Sequence, residues 1–338
     1  MSAHLAPKPG SLVRVIAPAR LHMGFLDLGG SLGRRFGSIG IGINEIATRI
    51  VLSADAETSA HGPDSERALQ VTQRFFEAAG FHSPVAIRIE EAIPGHIGLG
   101  SGTQLALAIG TGMARLFQRD WSPREVAAAV ARGARSGIGI AVFEQGGLVV
   151  DGGRGAETVT PPVLCRMRFP EDWRFILILD KQYQGLHGKG EANAFAALPP
   201  FPATESARLC HLLLMRALPA LAEADIDGFG SVITEVQSSI GNHFASVQGG
   251  CFTSAEVGRA VACLKKLGAV GIGQSSWGPT AFCLVPSATV ADRLIRRVGP
   301  QFPMVRLMPV SARNHGADVI EDAPIATAAK RPTAAIQR

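Results

Sequence analysis

The chain has 338 residues and a mass of 35.4 kDa, with 46% hydrophobic and 18% charged residues and a formal net charge of +5. That length and composition suit two packed domains and exclude a disordered or fibrous chain. With one tyrosine, three tryptophans and no run of five or six basic residues, the chain lacks the stacking surface and charge footprint of a nucleic-acid binder.

Glycine is in excess, at 39 residues, without a period. It must serve turns and close backbone approaches. Cys165, Cys210, Cys251, Cys263 and Cys283 are odd in number and hold no CxxC pair, so neither a zinc site nor a disulfide framework is expected, and a reducing cytoplasm fits. Arg14 interrupts the first apolar run, and His211, Arg216 and Pro219 break the stretch 209–221. Neither a signal peptide nor a membrane-spanning helix is expected.

In chain order, residues 11–25 alternate like strands around Pro18. Residues 29–42 hold six glycines and read as a flexible or ligand-hugging loop, followed by a β-branched strand at 48–53. Residues 65–79 form an amphipathic helix stopped by Gly80, and 85–93 a half-exposed strand. Residues 101–117 are apolar at helical length. Ser122-Pro123-Arg124-Glu125 is a capping box that starts a helix. Val142–Phe143 and Leu148–Val150 flank Gly146-Gly147 and read as a hairpin. The second half alternates a strand at 175–179, helices at 204–218 and 225–240, a capping box of Thr253 with Glu256 leading a helix to Leu267, strands at 269–273 and 281–285, a helix at 287–298 and a strand at 304–308. The pattern is that of an α+β layer. From Glu321 the Ala/Pro/Thr-rich tail reads as disordered.

The most informative stretch is Pro94-Gly95-His96-Ile97-Gly98-Leu99-Gly100-Ser101-Gly102-Thr103-Gln104, between a strand and a helix. Glycines let a ligand approach the backbone, and the helix start points unpaired N–H groups and a positive dipole end outward. Together they suit an anion, most often phosphate, with Ser101 and Thr103 as hydroxyl donors. The alternative is a tight turn that needs glycine for packing alone. The stretch is neither a Walker loop nor a GxGxxG fingerprint.

Pro94-x-x-x-Gly98-Leu99-Gly100-Ser101 resembles the central motif of the GHMP kinase superfamily. Residues 17–22 (Ala-Pro-Ala-Arg-Leu-His) resemble its first motif, and 271–280 stand where its third, glycine-rich motif belongs. Two departures are specific: Gly102 replaces a serine that is commonly a magnesium ligand, and the third motif carries Gln274, Ser275, Ser276 and bulky Trp277. This combination is similar to the β-ribofuranosylaminobenzene 5′-phosphate synthase branch. The resemblance implies an α+β, two-domain GHMP-kinase-like fold. A ribosomal S5 domain 2-like N-terminal domain would cover 1–165 and a ferredoxin-like C-terminal domain 166–320, with a tail at 321–338. It implies a cytoplasmic homodimer that condenses 5-phosphoribosyl 1-diphosphate with 4-aminobenzoate or 4-hydroxybenzoate and releases diphosphate and CO2. Magnesium would help the diphosphate leave. The path is that of tetrahydromethanopterin synthesis.

Under that resemblance the loop residues Gly98, Gly100, Ser101, Gly102, Thr103 and Gln104 grip the diphosphate. Alternation places Arg20, His22 and Gly24 on the cleft face of the first strand and Leu21, Met23 and Phe25 on the core face. Arg20 would pair with a phosphate or carboxylate, and His22 serve as acid, base or hydrogen-bond donor. Asp27 would stabilise the cationic ribosyl carbon or hold magnesium, unless it merely caps the turn at Gly29-Gly30. Ser275, Ser276, Trp277 and Thr280 occupy a turn where Trp277 offers a face to the aromatic acid, or else plugs the domain interface. Glu144 and Glu191 are the tentative magnesium ligands, with exposed turn carboxylates as the alternative. His187 and Lys189 would meet the 5′-phosphate. The other readings are an ATP-dependent GHMP kinase and an inactive, ligand-binding relative.

Overall fold

Strict alternation at Val13, Val15 and Ala17, all buried, starts the first strand, and no turn interrupts it at Pro18. In this computed structural model, which describes residues 10–182, 185 and 188–322, β1 runs unbroken over Leu12–Asp27. It pairs antiparallel with β2 (Phe36–Ala54), bulging between Pro18 and Arg20 and again between His22 and Gly24. The glycine-rich stretch is therefore mostly strand, and its loop is confined to residues 28–35. The reason lies across the sheet. A Cβ on Gly40 would run into Ile138, and one on Gly42 would meet Val142 at 3.0 Å, so these glycines let a helix press onto β2.

That helix is α4 (Ile138–Gln145), which follows α1 (Ser65–Ala79), α2 (Ser101–Leu116) and α3 (Pro123–Ala129) in the chain. It replaces the expected hairpin at 142–150, because the apolar run at 138–143 packs as a helix before β5 (Leu148–Asp151) begins. The expected stop of α1 at Gly80 and the Ser122–Glu125 capping box of α3 are both present. The first sheet has the order β11-β1-β2-β4-β3, with β3 (Ser59–His61), β4 (Val85–Glu91) and β11 (Asp318–Asp322), while β5 pairs with β2 and with β6 (Val163–Met167). β11 takes Glu321 and Asp322 out of the expected tail; residues 323–338 lie outside the described residues.

The second sheet holds β7 (Arg174–Asp180), β8 (Val270–Gln274), β9 (Ala281–Val285) and β10 (Val305–Ser311) in the antiparallel order β10-β7-β9-β8. The strands thus lie fourth, first, third, second, which is the ferredoxin-like arrangement. Between β7 and β8 the described residues form five helices: α5 (Gly188–Ala197), α6 (Ala203–Leu212), α7 (Leu218–Ala222), α8 (Ile226–Gln248) and α9 (Ala255–Lys266). A π turn at Leu213–Ala217 joins α6 to α7. Ser254 rather than Thr253 caps α9, accepting from the Val257 N–H at 3.2 Å. α10 (Ala288–Val298) lies between β9 and β10. One core joins the two sheets: Leu21, Met23, Ile39 and Ile41 of the first meet Phe229, Val236, Phe282 and Leu284 of the second layer. The start of α2 and the middle of β1 lie at this junction.

Candidate functional site: an anion loop beside an aromatic cleft

The loop between β4 and α2 is built on two glycines. Gly98 and Gly100 have φ of 84° and 85°, which an L side chain resists. A Cβ on Gly98 would collide with the Ser275 carbonyl, and one on Gly100 would come within 3.2 Å of the Arg20 side chain. The Gly100 carbonyl accepts from the Thr103 and Gln104 N–H groups at 3.1 and 3.0 Å. The amides of Ser101 and Gly102 stay at the open, positive end of α2.

Arg20 is held over this loop from both ends. Its backbone N–H donates to the Leu99 carbonyl at 3.1 Å, and its guanidinium donates to the Gly98 carbonyl at 2.6 Å. Ser275, fully buried, closes the arrangement. Its hydroxyl donates to the Gly98 carbonyl at 2.7 Å and accepts the His22 N–H at 3.0 Å. One serine therefore fastens β1, the α2 loop and the β8–β9 turn together.

Next to the loop a narrow cleft is walled by His22, Phe25, Ile240 and Phe244, with Gln237, Gln248 and Ser276 as polar groups. Phe25 is buried in the same core cluster as Leu21 and Met23, as the alternation predicts, and its ring also reaches the edge of the cleft beside Gly24. The His22 ring lies 4.5 Å from that of Phe25, is 4% exposed, and leaves Nε2 without a hydrogen-bond partner. Burial, and then the charge of Arg20, lower its pKa to about 3. At neutral pH His22 is uncharged, and of the expected roles as acid, base or hydrogen-bond donor a neutral ring suits the last two.

Several expected site residues do other work. Asp27 stands seven residues along β1 from Arg20, roughly 20 Å at strand rise. Its Oδ1 accepts the N–H groups of Gly29 and Gly30 and the Ser206 hydroxyl, so it organises a turn away from the loop. Trp277 is 3% exposed and stacks on Phe244 (centroids 4.5 Å, 7° between planes) with Phe195 at its edge; it plugs the interface and has no free face for a substrate. Gln104 and Thr280 are fully buried. Gln104 donates to the Gly139 carbonyl at 2.8 Å, and the Thr280 carbonyl accepts the Ser275 N–H. Thr103 packs against Gly139. Of the third motif, Gln274 and Ser276 line the cleft.

Glu144 ends α4 and pairs with Arg124 at 3.4 Å, while the opposite end of α4, at Gly139, is the one that touches Thr103. Partial burial raises its pKa against the opposing pull of Arg124. His187 lies outside the described residues, and so do the side chains of Lys189 and Glu191, whose backbone belongs to α5. Among the described residues no three His, Cys, Asp or Glu side chains converge as a metal-holding group.

Sequence reasoning missed three arginines. The Arg132 guanidinium lies 3.9 Å from where a Cβ of Gly102 would be. Arg67 of α1 reaches His96 of the loop at 3.4 Å and pairs with Asp64 at 3.5 Å. Arg74 shares a face of α1 with Arg67, two turns on. Nothing local in the sequence marks these residues, since the loop joins them only in the fold.

The fold and the loop define a member of the GHMP superfamily. Residues 66–147 match the model described as GHMP kinases N terminal domain, and 217–303 the one described as GHMP kinases C terminal. The structure is similar to that of homoserine kinase from Cytophaga hutchinsonii, with a TM-score of 0.63 at 16% identity, covering 94% of this chain and 100% of that one. In sequence it is 31% identical over 328 residues to beta-ribofuranosylphenol 5'-phosphate synthase of Methanothermobacter thermautotrophicus, covering 90% of this chain and 97% of that protein. The protein of the same name from Archaeoglobus fulgidus is 32% identical over 330 residues, covering 91% and 99%. The chain belongs to the β-ribofuranosylphenol 5′-phosphate synthase family, and so to a family of synthases rather than of kinases.

Proposed function

We propose that this protein joins the ribosyl carbon of 5-phosphoribosyl 1-diphosphate to the ring of 4-hydroxybenzoate or 4-aminobenzoate, releasing diphosphate and CO2. The observation that carries this reading is the Ser275 clamp, which sets a cationic N–H loop for a diphosphate directly beside an aromatic-walled cleft. The names of the relatives print a phenol product, which favours 4-hydroxybenzoate as acceptor.

The chemistry asks for little proton transfer. The C1–O bond to diphosphate breaks, and its electron pair leaves with the diphosphate. The ring carbon bearing the carboxylate, made electron-rich by the para oxygen, attacks C1. The C–CO2 bond then breaks, its electrons restore the aromatic ring, and no proton is gained or lost overall. What the protein supplies is positioning and charge. Arg20 and the Ser101 and Gly102 amides meet charge developing on the leaving group, the kind of group whose removal costs about 100-fold or more in rate. Phe25 and Phe244 wall the ring, and the neutral His22 offers Nε2 to a polar group on it. No step is routed through a protein-held metal; magnesium is proposed to arrive with the diphosphate, whose oxygens are its usual partners.

The test is incubation with 5-phosphoribosyl 1-diphosphate, magnesium and each aromatic acid in turn. A decarboxylated, phosphoribosylated phenol or aniline found by mass spectrometry supports the reading. Phosphorylation of an acceptor by ATP, with no such product, overturns it in favour of a kinase.

A further inference from the structure

Arg132, Arg67 and Arg74 surround the open end of α2 without being tied into it. Arg132 comes from the segment after α3 and sets its guanidinium beside Gly102, the position whose missing side chain leaves the helix end clear. Its Nε is buried and has no hydrogen-bond partner, although a guanidinium carries five donors and buried ones are ordinarily satisfied. Arg67 and Arg74 approach from α1; burial first, and then the charges of Arg74 and Arg67, hold the Arg132 pKa below its ordinary value. Among the described residues, Asp64 pairs with Arg67 at 3.5 Å. Three like charges gathered on a helix end of the same sign repel one another, and an anion is what relieves them.

We infer that Arg132, with Arg67 and Arg74, forms a diphosphate subsite continuous with the Gly98–Gly102 loop, holding the outer phosphoryl group while Arg20 and the loop amides hold the inner one. Planar guanidinium groups suit phosphoryl oxygens through paired N–H donors. The subsite rests on the function proposed above only for the source of its diphosphate. Its own countercharge is arginine, so the subsite takes diphosphate even in the absence of a divalent cation, and magnesium carried in by the diphosphate adds to that charge.

Isothermal titration with inorganic diphosphate in EDTA tests this directly. The wild-type chain is expected to bind, Arg132→Met to lose about tenfold or more in affinity, as deletion of one charge-assisted contact implies, and Arg132→Lys to recover part of it. Arg74 is exposed, so Arg74→Met is the variant least apt to disturb folding, and it is expected to weaken binding as well. Unchanged affinity in both Met variants, or wild-type binding that appears only with magnesium, overturns the subsite. Competition separates the sources. Displacement of diphosphate by 5-phosphoribosyl 1-diphosphate but not by ADP supports the subsite and the synthase together. Displacement by ADP alone supports the subsite and overturns the synthase reading.

Discussion

The Arg20 side chain lies 3.2 Å from the point where a Cβ on Gly100 would stand. The glycine is thus required twice, once for its φ of 85° and once for the guanidinium that rests on it. Gly100→Val is expected to abolish measurable binding of 5-phosphoribosyl 1-diphosphate in calorimetry. Gly100→Ala should weaken it less, with a stability loss of about 1–2 kcal/mol from the left-handed backbone. Full affinity in the valine variant would remove the loop from the site.

Arg20 itself acts through a planar fork that lysine cannot copy. Arg20→Met is expected to lower kcat by about 100-fold, in line with loss of one group stabilising developing charge. Arg20→Lys should recover only part of that. A variant that changes KM for the aromatic acid alone would place Arg20 in the cleft rather than on the diphosphate.

Ser275 ties Gly98 to His22 and is itself buried. Ser275→Ala strands a buried N–H at His22 and removes one donor from the Gly98 carbonyl, so unfolding stability should fall by about 1–3 kcal/mol. Activity should fall further than that of an equally destabilised variant elsewhere in the core. Denaturant titration beside kinetics separates the two effects, and activity tracking stability alone would reduce Ser275 to a packing residue.

The pH dependence follows from His22. Its folded pKa, about 3, is below the unfolded value of 6.5. The unfolded chain therefore binds more protons between those values, so the stability from burying the neutral ring is present above pH 6.5 and is lost as pH falls towards 3. His22→Asn should flatten the stability curve across that window. An unaltered curve, or a kcat profile titrating near 6.5 that vanishes in this variant, would contradict a neutral buried ring.

Trp277 tests the corrected reading of the third motif. With its face on Phe244, Trp277→Ala should destabilise the chain by about 3–5 kcal/mol through the cavity left. Trp277→Phe should keep KM for the aromatic acid near the parent value. A large rise in that KM with stability retained would return Trp277 to the substrate.

Where signals were local, the sequence carried them. Gly80 stops α1, Ser122 and Glu125 cap α3, and the glycines at 98 and 100 make the left-handed turn that opens α2. Where the determinant was another segment, it did not. Ile138–Phe143 is an apolar run too short for periodicity to tell helix from strand, and the glycines of β2 gave no hint that this run packs on them. Arg67 and Arg132 are far apart in the chain and meet the loop only through the packing of α1 and α3 on α2.

The central claim is that one turnover couples loss of diphosphate to loss of the carboxylate. Incubation with carboxyl-labelled 4-hydroxybenzoate and 5-phosphoribosyl 1-diphosphate, with CO2 and diphosphate counted in the same vessel, tests it most directly. The account predicts that both appear in equal amounts, depend on both substrates and fall together in Arg20→Met. Diphosphate released without CO2, or neither released while ATP is consumed, would contradict it.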